Sequence, residues 1–203
     1  MCIVKTESAI EKVHFSEIEN SQVSLFVKRE DELHPFISGN KYRKLKYNLE
    51  EAKKLKKKAI LTFGGAYSNH ILATAVAGKL EGLKTFGIIR GEELGKNLTQ
   101  TLEENPTLRE AHEHGMKFHF VSRELYRQKT SFGFIEKMKN KWGDFYLIPE
   151  GGTNFLAVNG CEEILTKDDG TFDYVCAAVG TGGTLAGLIK SLKRRQKVLG
   201  FPA

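Results

Sequence analysis

The chain is poor in cysteine, proline and tryptophan, and it contains no long apolar run. Its 203 residues include 3 Cys, 4 Pro and 1 Trp. Cys2, Cys161 and Cys176 are too few and too widely spaced to indicate a disulfide framework or a metal site. No stretch approaches the roughly 20 apolar residues of a membrane-spanning helix, and the first residues lack the apolar centre of a signal peptide. We therefore predict a cytoplasmic protein with no metal and no membrane partner.

The chain also lacks the charge pattern of a nucleic-acid-binding protein. Its net charge is +6, and much of the excess comes from the stretch "KKLKKK" at residues 53–58. Nucleic-acid sites typically mix arginine and aromatic residues with such lysines, and none is present here. Lysines suit the C-terminal end of a helix, and a mild positive field suits small anionic substrates. We therefore expect no nucleic-acid partner.

Short apolar or β-branched runs alternate with helical patterns along the chain. The predicted strands are 24–28, 59–62, 85–89, 117–121, 145–148, 174–179 and 198–201, and the predicted helices are 41–54, 69–79, 107–114, 132–141, 157–165 and 185–193. This alternation predicts an α/β fold with open, mostly parallel sheets covered by helices. The last predicted strand is apolar and has no following helix, so we expect a domain that is truncated or continues beyond residue 203.

Functional residues of parallel α/β sheets gather where strands lead into helices, and three such turns stand out. The first is "VGTGGTLAG" at 179–187, where unobstructed N–H groups and hydroxyls meet at a predicted helix N-terminus, as an oxyanion such as phosphate requires. It is neither a dinucleotide fingerprint nor a P-loop, because Leu185 replaces the third glycine and no Gly-Lys-Ser/Thr follows. A glycine-rich turn without a ligand is the alternative. The candidate phosphate-binding residues are Gly180, Thr181, Gly182, Gly183 and Thr184.

The second turn is "TFGGAYSNHILATA" at 62–75, in which a predicted strand ends at a glycine pair. Ser68 lies where a helix N-cap belongs. In one interpretation Ser68 and Asn69 only cap the helix. In the other, Ser68, Asn69 and His70 place several donors at one helix start and bind a substrate carboxylate.

The third turn is "SGNKYRKL" at 38–45, where Ser38 or Asn40 is predicted to cap a helix and Lys41 lies in its first turn. Burial and the helix dipole both disfavour an ammonium group there, so the pKa of Lys41 should be lowered. A neutral amine attacks carbonyls and forms Schiff bases. Together with a phosphate-binding turn, this indicates pyridoxal 5′-phosphate (PLP). A lysine in such a turn, taken alone, is more often structural.

Four stretches resemble, in sequence order, the motifs of the 1-aminocyclopropane-1-carboxylate deaminase/D-cysteine desulfhydrase family: "SGNKYRKL", "GGAYSNH", "IPEGGTN" and "VGTGGTLAG". The similarity runs from about Phe26 to the last residue. It implies a two-domain PLP enzyme of fold type II, the tryptophan-synthase-β-like fold. By the same resemblance, residues 44–150 form the small domain, and residues 1–43 and 151–203 belong to an incomplete large domain.

The resemblance also implies roles for individual residues. Lys41 matches the lysine that binds PLP as a Schiff base and moves a proton at the substrate α-carbon. Lys44 matches a lysine near the cofactor phosphate, and the glycine turn matches the phosphate cup. Ser68 matches the serine near the substrate carboxylate, proposed to take part in ring opening in the deaminase. Asn69 matches the asparagine that hydrogen-bonds the cofactor 3′-oxygen. His70 matches the residue that follows this asparagine in the desulfhydrases.

The implied reaction is the conversion of a small amino acid, D-cysteine, to pyruvate, sulfide and ammonia. Tyr67 stands where these families generally have glutamine, whereas His70 resembles the desulfhydrases. Family members continue past residue 203 and there carry an active-site tyrosine and the partner of the pyridine nitrogen. The alternatives are deamination of 1-aminocyclopropane-1-carboxylate to 2-oxobutanoate and a truncated, non-catalytic binder of PLP or another phosphate ligand. We expect a homodimer.

Overall fold

The computed structural model describes residues 7–19, 21–193 and 195–202, and it contains three sheets with helices packed on them. The strands are β1 (Ile10–Val13), β2 (Leu25–Lys28), β3 (Ala59–Gly65), β4 (Lys84–Arg90), β5 (Lys117–Val121), β6 (Tyr146–Leu147), β7 (Tyr174–Val179) and β8 (Lys197–Pro202). The helices are α1 (Ser16–Glu19), α2 (Asn40–Lys54), α3 (Asn69–Leu80), α4 (Leu98–Glu104), α5 (Pro106–Glu113), α6 (Arg123–Arg127), α7 (Phe132–Trp142), α8 (Phe155–Glu162) and α9 (Gly183–Ser191). Short 3₁₀ helices lie at Glu30–Leu33, Glu92–Gly95, Glu150–Gly152 and Asp168–Thr171. The predicted α/β fold with mostly parallel sheets is confirmed.

The main sheet has four parallel strands in the order β5-β4-β3-β6. Its central strand β3 is buried on both faces, as its continuous apolar sequence requires. Alternate residues point to opposite faces of a strand. Ile60 therefore packs in one core with α2 and α3, whereas Leu61 and Phe63 pack in a second core with α7.

The strand order reverses beside the carboxyl end of β3. The chain moves from β3 to β4 and β5 on one side, and then crosses to β6 on the other. Ligands of open α/β sheets bind where the strand order reverses in this way. The turn after β3 and the segment after β6 meet at this point, and they carry the second and third of the four quoted motifs.

The remaining strands form two small sheets. β7 and β8 are parallel and joined through α9, and β1 pairs with β2 in antiparallel orientation. Helix α8 packs against both α2 and α9, and thereby joins the main sheet to the β7–β8 sheet. The domain boundaries at residues 44 and 150 stay a prediction.

Several short elements were not predicted: β1, α1, α4 and α6. Each has four to seven residues, which is too short for the 11 to 18 residues over which hydrophobic periodicity is measured. The helix predicted at 107–114 begins one residue earlier, at Pro106, because the first position of a helix needs no N–H donor. Within the described part of the chain, no helix is long and apolar enough to cross a membrane.

Candidate active site

Helix α2 directs two lysines toward one cavity. Lys41 and Lys44 are three positions apart and therefore lie on the same side of the helix. The helix begins after Gly39, whose φ of 61° is left-handed, and no side chain of the described residues caps it. The prediction that Ser38 or Asn40 caps this helix is therefore wrong, because the Asn40 amide is engaged inside the cavity instead.

The cavity has a volume of about 200 Å³ and lies between the start of α2, Gly151 and the turn before α9. It brings together six of the predicted site residues: Lys41, Lys44, Gly180, Thr181, Gly182 and Thr184. Gly183 lies behind the cavity wall, where a Cβ would be only 2.7 Å from Cγ2 of Thr153. Ser68, Asn69 and His70 do not line this cavity and lie on the turn between β3 and α3.

The Lys41 amine is connected to the glycine turn through one side chain. Lys41 Nζ donates to Oδ1 of Asn40, and Nδ2 of Asn40 donates to Oγ1 of Thr184 at 2.7 Å. Lys41 and Thr184 belong to different helices and are far apart in the sequence. The hydrogen bonds therefore link the starts of α2 and α9 directly.

Lys44 makes a second connection between the same regions. It is only 3% exposed. Its Nζ donates to the carbonyl of Gly151 at 3.1 Å, to Oγ1 of Thr153 at 2.9 Å and to Oγ1 of Thr181 at 3.3 Å. These acceptors come from the segment after β6 and from the glycine turn. Lys44 therefore holds the two segments against α2.

The glycine turn leaves its backbone accessible on the cavity side. Gly182 has a left-handed φ of 78°, and in the part of the chain that the structure describes neither it nor Gly180 has a non-neighbouring atom within 4 Å of where a Cβ would stand. The first N–H groups of α9 have no partner inside the helix, as at every helix N-terminus. With the helix dipole, these groups favour an anion beside Thr181 and Thr184.

Burial lowers the pKa of both lysines, and the charge of Lys44 also acts on Lys41. Burial and, to a smaller extent, the positive charge of Lys44 together lower the pKa of Lys41 to about 8. Burial also lowers the pKa of Lys44. The pKa of Lys41 thus shifts in the direction predicted from its sequence, with burial as the main cause. A substantial fraction of a half-buried Lys41 is therefore neutral near pH 8.

The polar side chains of the turn after β3 differ in their exposure and in their hydrogen bonds. Ser68 is the N-cap of α3, with its hydroxyl accepting from the N–H of Ile71 at 3.4 Å. Asn69 is exposed. Gly64 makes room for this arrangement, since a Cβ there would meet Oγ of Ser68 at 2.8 Å. The capping interpretation of Ser68 is thereby observed, and a substrate role for Ser68 and Asn69 stays a prediction.

His70 is buried beneath the site, with 1% of its surface exposed. The hydroxyl of Thr62 donates to the carbonyl of Ile148 at 2.9 Å, so it accepts from Nε2 of His70 at 2.8 Å. Nδ1 is then unprotonated, and it has no hydrogen-bond partner among the described residues. It faces Gly152, where a Cβ would stand 3.2 Å away. Burial and then the charges of two lysines lower the pKa of His70 to about 3.

Two glycines allow the helices around the site to approach closely. A Cβ at Gly160 of α8 would overlap the carbonyl oxygen of Arg43 in α2. A Cβ at Gly187 of α9 would overlap Cβ of Cys161 in α8. The helices thus stack in the order α2, α8, α9, which brings the start of α9 to the start of α2.

Comparison with known proteins agrees with this architecture. Residues 9–201 match the family model described as pyridoxal-phosphate dependent enzyme. The chain belongs to this family. Its members use pyridoxal phosphate, as the combination of Lys41 and the glycine turn predicted.

The most informative relatives carry the two names predicted from the motifs. A Thermotoga maritima protein provisionally named 1-aminocyclopropane-1-carboxylate deaminase is 39% identical over 172 residues, which cover 81% of this chain and 53% of the relative. The Arabidopsis thaliana bifunctional D-cysteine desulfhydrase/1-aminocyclopropane-1-carboxylate deaminase is 32% identical, with 81% of this chain and 44% of the relative covered. The predicted resemblance to the deaminase/desulfhydrase family is therefore confirmed.

A crystal structure of a homologue of 1-aminocyclopropane-1-carboxylate (ACC) deaminase is also similar, with 29% sequence identity and a TM-score of 0.68. The match covers 91% of this chain and 56% of that structure. The chain thus spans about half the length of these relatives.

Sequence reasoning missed three contributors to the site: Asn40 as a bridge, Thr153 and Gly151. The motif "IPEGGTN" contains Gly151 and Thr153, and it was recognised only as part of the family resemblance. The glycine pair after a strand was the available signal for a ligand-binding segment. No local signal indicates that the Asn40 amide reaches Thr184.

Proposed function

We propose that this chain carries the PLP site of an enzyme that eliminates a β-substituent from a small amino acid, as D-cysteine desulfhydrase does. The observation that carries the proposal is the Lys41 amine, half-buried, with a pKa of about 8, and tied through Asn40 to the glycine turn. A low-pKa amine beside an anion-binding helix start matches the aldehyde and the phosphate of one cofactor. The names of the relatives support the same class of chemistry.

The residues present fit this cofactor. Lys41 Nζ is the predicted nucleophile and lines the cavity, so it would hold the aldehyde carbon. The N–H groups of the turn at Gly182 would hold the phosphate, and Lys44, which donates to Thr181 of the same turn, would attract it by its positive charge. PLP, when bound, supplies an electron sink for the carbanion formed at the substrate α-carbon.

The chain's own side chains then act on the substrate. Neutral Lys41 would accept the α-proton on Nζ and later return a proton, which its lowered pKa permits near neutral pH. Ser68 and Asn69, at the start of α3, would orient the substrate carboxylate and the cofactor oxygen. His70 would support this turn from below through its bond to Thr62. With D-cysteine and one water, the products would be pyruvate, sulfide and ammonia.

The second candidate is deamination of 1-aminocyclopropane-1-carboxylate to 2-oxobutanoate and ammonia. The names of both curated relatives favour it. This substrate has no α-hydrogen, so a nucleophile must open the ring first, and Ser68 is the candidate named above. His70 favours the desulfhydrase. The homodimer expected from the sequence stays a prediction.

Reduction and mass mapping test the proposal directly. The protein is incubated with PLP, reduced with borohydride and digested, and we expect a pyridoxyl group on Lys41. Lys41→Ala should remove it, whereas Thr184→Ala should weaken PLP binding and leave the adduct detectable at high PLP concentration. PLP binding with no adduct on Lys41 would contradict an enzymatic role and support a phosphate-ligand binder.

Product analysis separates the substrates. Sulfide and pyruvate are measured with D-cysteine and, as a control, L-cysteine, and 2-oxobutanoate is measured with 1-aminocyclopropane-1-carboxylate. Sulfide from D-cysteine alone supports the desulfhydrase. Formation of 2-oxobutanoate alone supports the deaminase. An adduct on Lys41 without any product would mean that this chain binds the cofactor and does not turn over.

A further inference from the structure

The Asn40 side chain uses both ends of its amide inside the cavity. A lysine ammonium has donors and no acceptor, so the atom of Asn40 that faces Lys41 must be Oδ1. Nδ2 then faces Thr184 and donates to its hydroxyl at 2.7 Å. The orientation of this amide is therefore determined by the Lys41 ammonium, and the Thr184 hydroxyl accepts the bond that results.

The neutrality of Asn40 has an electrostatic consequence for Lys41. A carboxylate at the same place would stabilise the ammonium form and raise its pKa. An amide oxygen accepts the same hydrogen bond without adding a charge. Lys41 therefore keeps both a fixed partner and the pKa of about 8 that burial and Lys44 produce.

The bridge also has a geometric consequence. One asparagine side chain spans the space between the Lys41 amine and Thr184 at the start of α9. An aldehyde bound to the amine and a phosphate bound at the turn must lie within a limited range of distances, because both are attached to one small aromatic ring. A hydrogen-bonded spacer restricts that distance before the ligand binds.

We propose that Asn40 is the positioning residue of the reactive lysine: it holds the Lys41 amine at a set distance from the phosphate-binding turn while leaving the amine free to lose its proton. This inference rests on the proposed role of Lys41 as the amine that binds the cofactor.

The first test measures the ionisation of Lys41 in the cofactor-free protein. Trace acetylation is carried out across pH 6 to 11 and the fraction modified at Lys41 is quantified by mass spectrometry. In Asn40→Asp the midpoint should move upward by at least about one pH unit, since an opposite charge within hydrogen-bonding distance shifts a pKa by this amount or more. Asn140→Asp makes the same change at an exposed position on α7, against the opposite face of the sheet, and should leave the midpoint unchanged.

The second test measures orientation, with Asn40→Ala and PLP as the probe. At a pH above the midpoint, where Lys41 is neutral in both proteins, imine formation should be slower by roughly three- to tenfold, the effect of one hydrogen bond. Binding of inorganic phosphate should be retained, which a generally damaged site would lose. If Asn40→Asp does not fold, the rate of imine formation in Asn40→Ala tests the proposal on its own.

The inference is overturned by an acetylation midpoint in Asn40→Asp equal to that of the wild type, or by an unchanged imine rate in Asn40→Ala. Failure of the proposed function looks different. In that case Lys41 of the wild type forms no imine with PLP, while its acetylation midpoint still responds to Asn40→Asp.

Discussion

The carbonyl oxygen of Arg43 lies directly against Gly160, so that α2 and α8 touch through their backbones. Arg43 is located between the two lysines of the site, and the segment that binds Lys44 leads into α8. Asn48 reinforces the contact, because it accepts from Nδ2 of Asn154 at 2.7 Å and donates to the carbonyl of Lys44 at 2.8 Å. The position of both amines thus depends on one close helix contact.

Gly160→Ala should therefore be strongly destabilising. The added Cβ would overlap a backbone carbonyl, which cannot rotate away as a side chain does, and overpacking typically costs about 1–3 kcal/mol or more. Gly133→Ala on α7 is the matched control, because no non-neighbouring atom of the described residues lies within 4 Å of its Cβ position. Urea denaturation should show the control at or above wild-type stability, since alanine favours a helix. Equal stability of the two variants would disprove the close contact.

Lys44→Met should weaken PLP binding by roughly tenfold or more. It removes the charged group of α2 that donates to Thr181, in the turn that would hold the phosphate. The methionine keeps the length of the side chain, so helix α2 should remain intact. Lys54→Met, on the same helix but exposed, is the control and should bind as the wild type does. Calorimetric titration of both variants measures the effect. Identical affinities would remove Lys44 from the phosphate site.

Lys41→Met should stabilise the cofactor-free protein at neutral pH, by about 1–3 kcal/mol, because it removes an ammonium from a partly buried position. The pKa of Lys41 is lowered in the folded state to about 8 from an ordinary value of 10.5. Between these values the unfolded state binds more protons, so wild-type stability rises with pH. The advantage of the variant should be full below pH 8 and should shrink toward pH 10.5. Denaturant titrations at pH 7 and 10 measure it, and a constant difference would contradict the lowered pKa.

His70 should stay neutral from pH 5 to 9, with its proton on Nε2. Its lowered pKa and the Thr62 hydroxyl, which is committed to the Ile148 carbonyl, both require this form. Long-range ¹H–¹⁵N spectra of the imidazole report the tautomer directly. A titration midpoint near 6.5, or a proton on Nδ1, would contradict this assignment.

Thr62→Val tests the same bond through stability. It keeps the side-chain shape but leaves the buried Nε2–H without an acceptor, which should cost about 1–3 kcal/mol. Thr99→Val at an exposed position of α4 is the matched control and should change little. If the two variants lose the same free energy of unfolding, the hydrogen bond between His70 and Thr62 does not contribute measurably to stability.

Much of this fold follows from local sequence signals. The alternation of β-branched runs and helical patterns predicted the parallel sheet, and the strand at residues 117–121 was placed with the bounds that the structure has. A glycine after a helix ends it with a left-handed residue, as Gly115 does with a φ of 86°. The 145–148 strand is shorter than predicted, at Tyr146–Leu147, because pairing with β3 rather than propensity decides its length.

The chemistry of the candidate site was also readable, but its connections were not. An accessible glycine turn before α9, and a lysine in the first turn of α2, are features of nearest neighbours along the chain, and these alone predicted PLP. The bridge from Lys41 through Asn40 to Thr184, and the three acceptors around Lys44, join segments more than 100 residues apart. Backbone dihedral preferences and hydrophobic periodicity act over a few residues, so they can be inferred directly from the sequence. The distance between two helix starts depends on how Gly160 and Gly187 let three helices stack, and only the packed tertiary structure decides that.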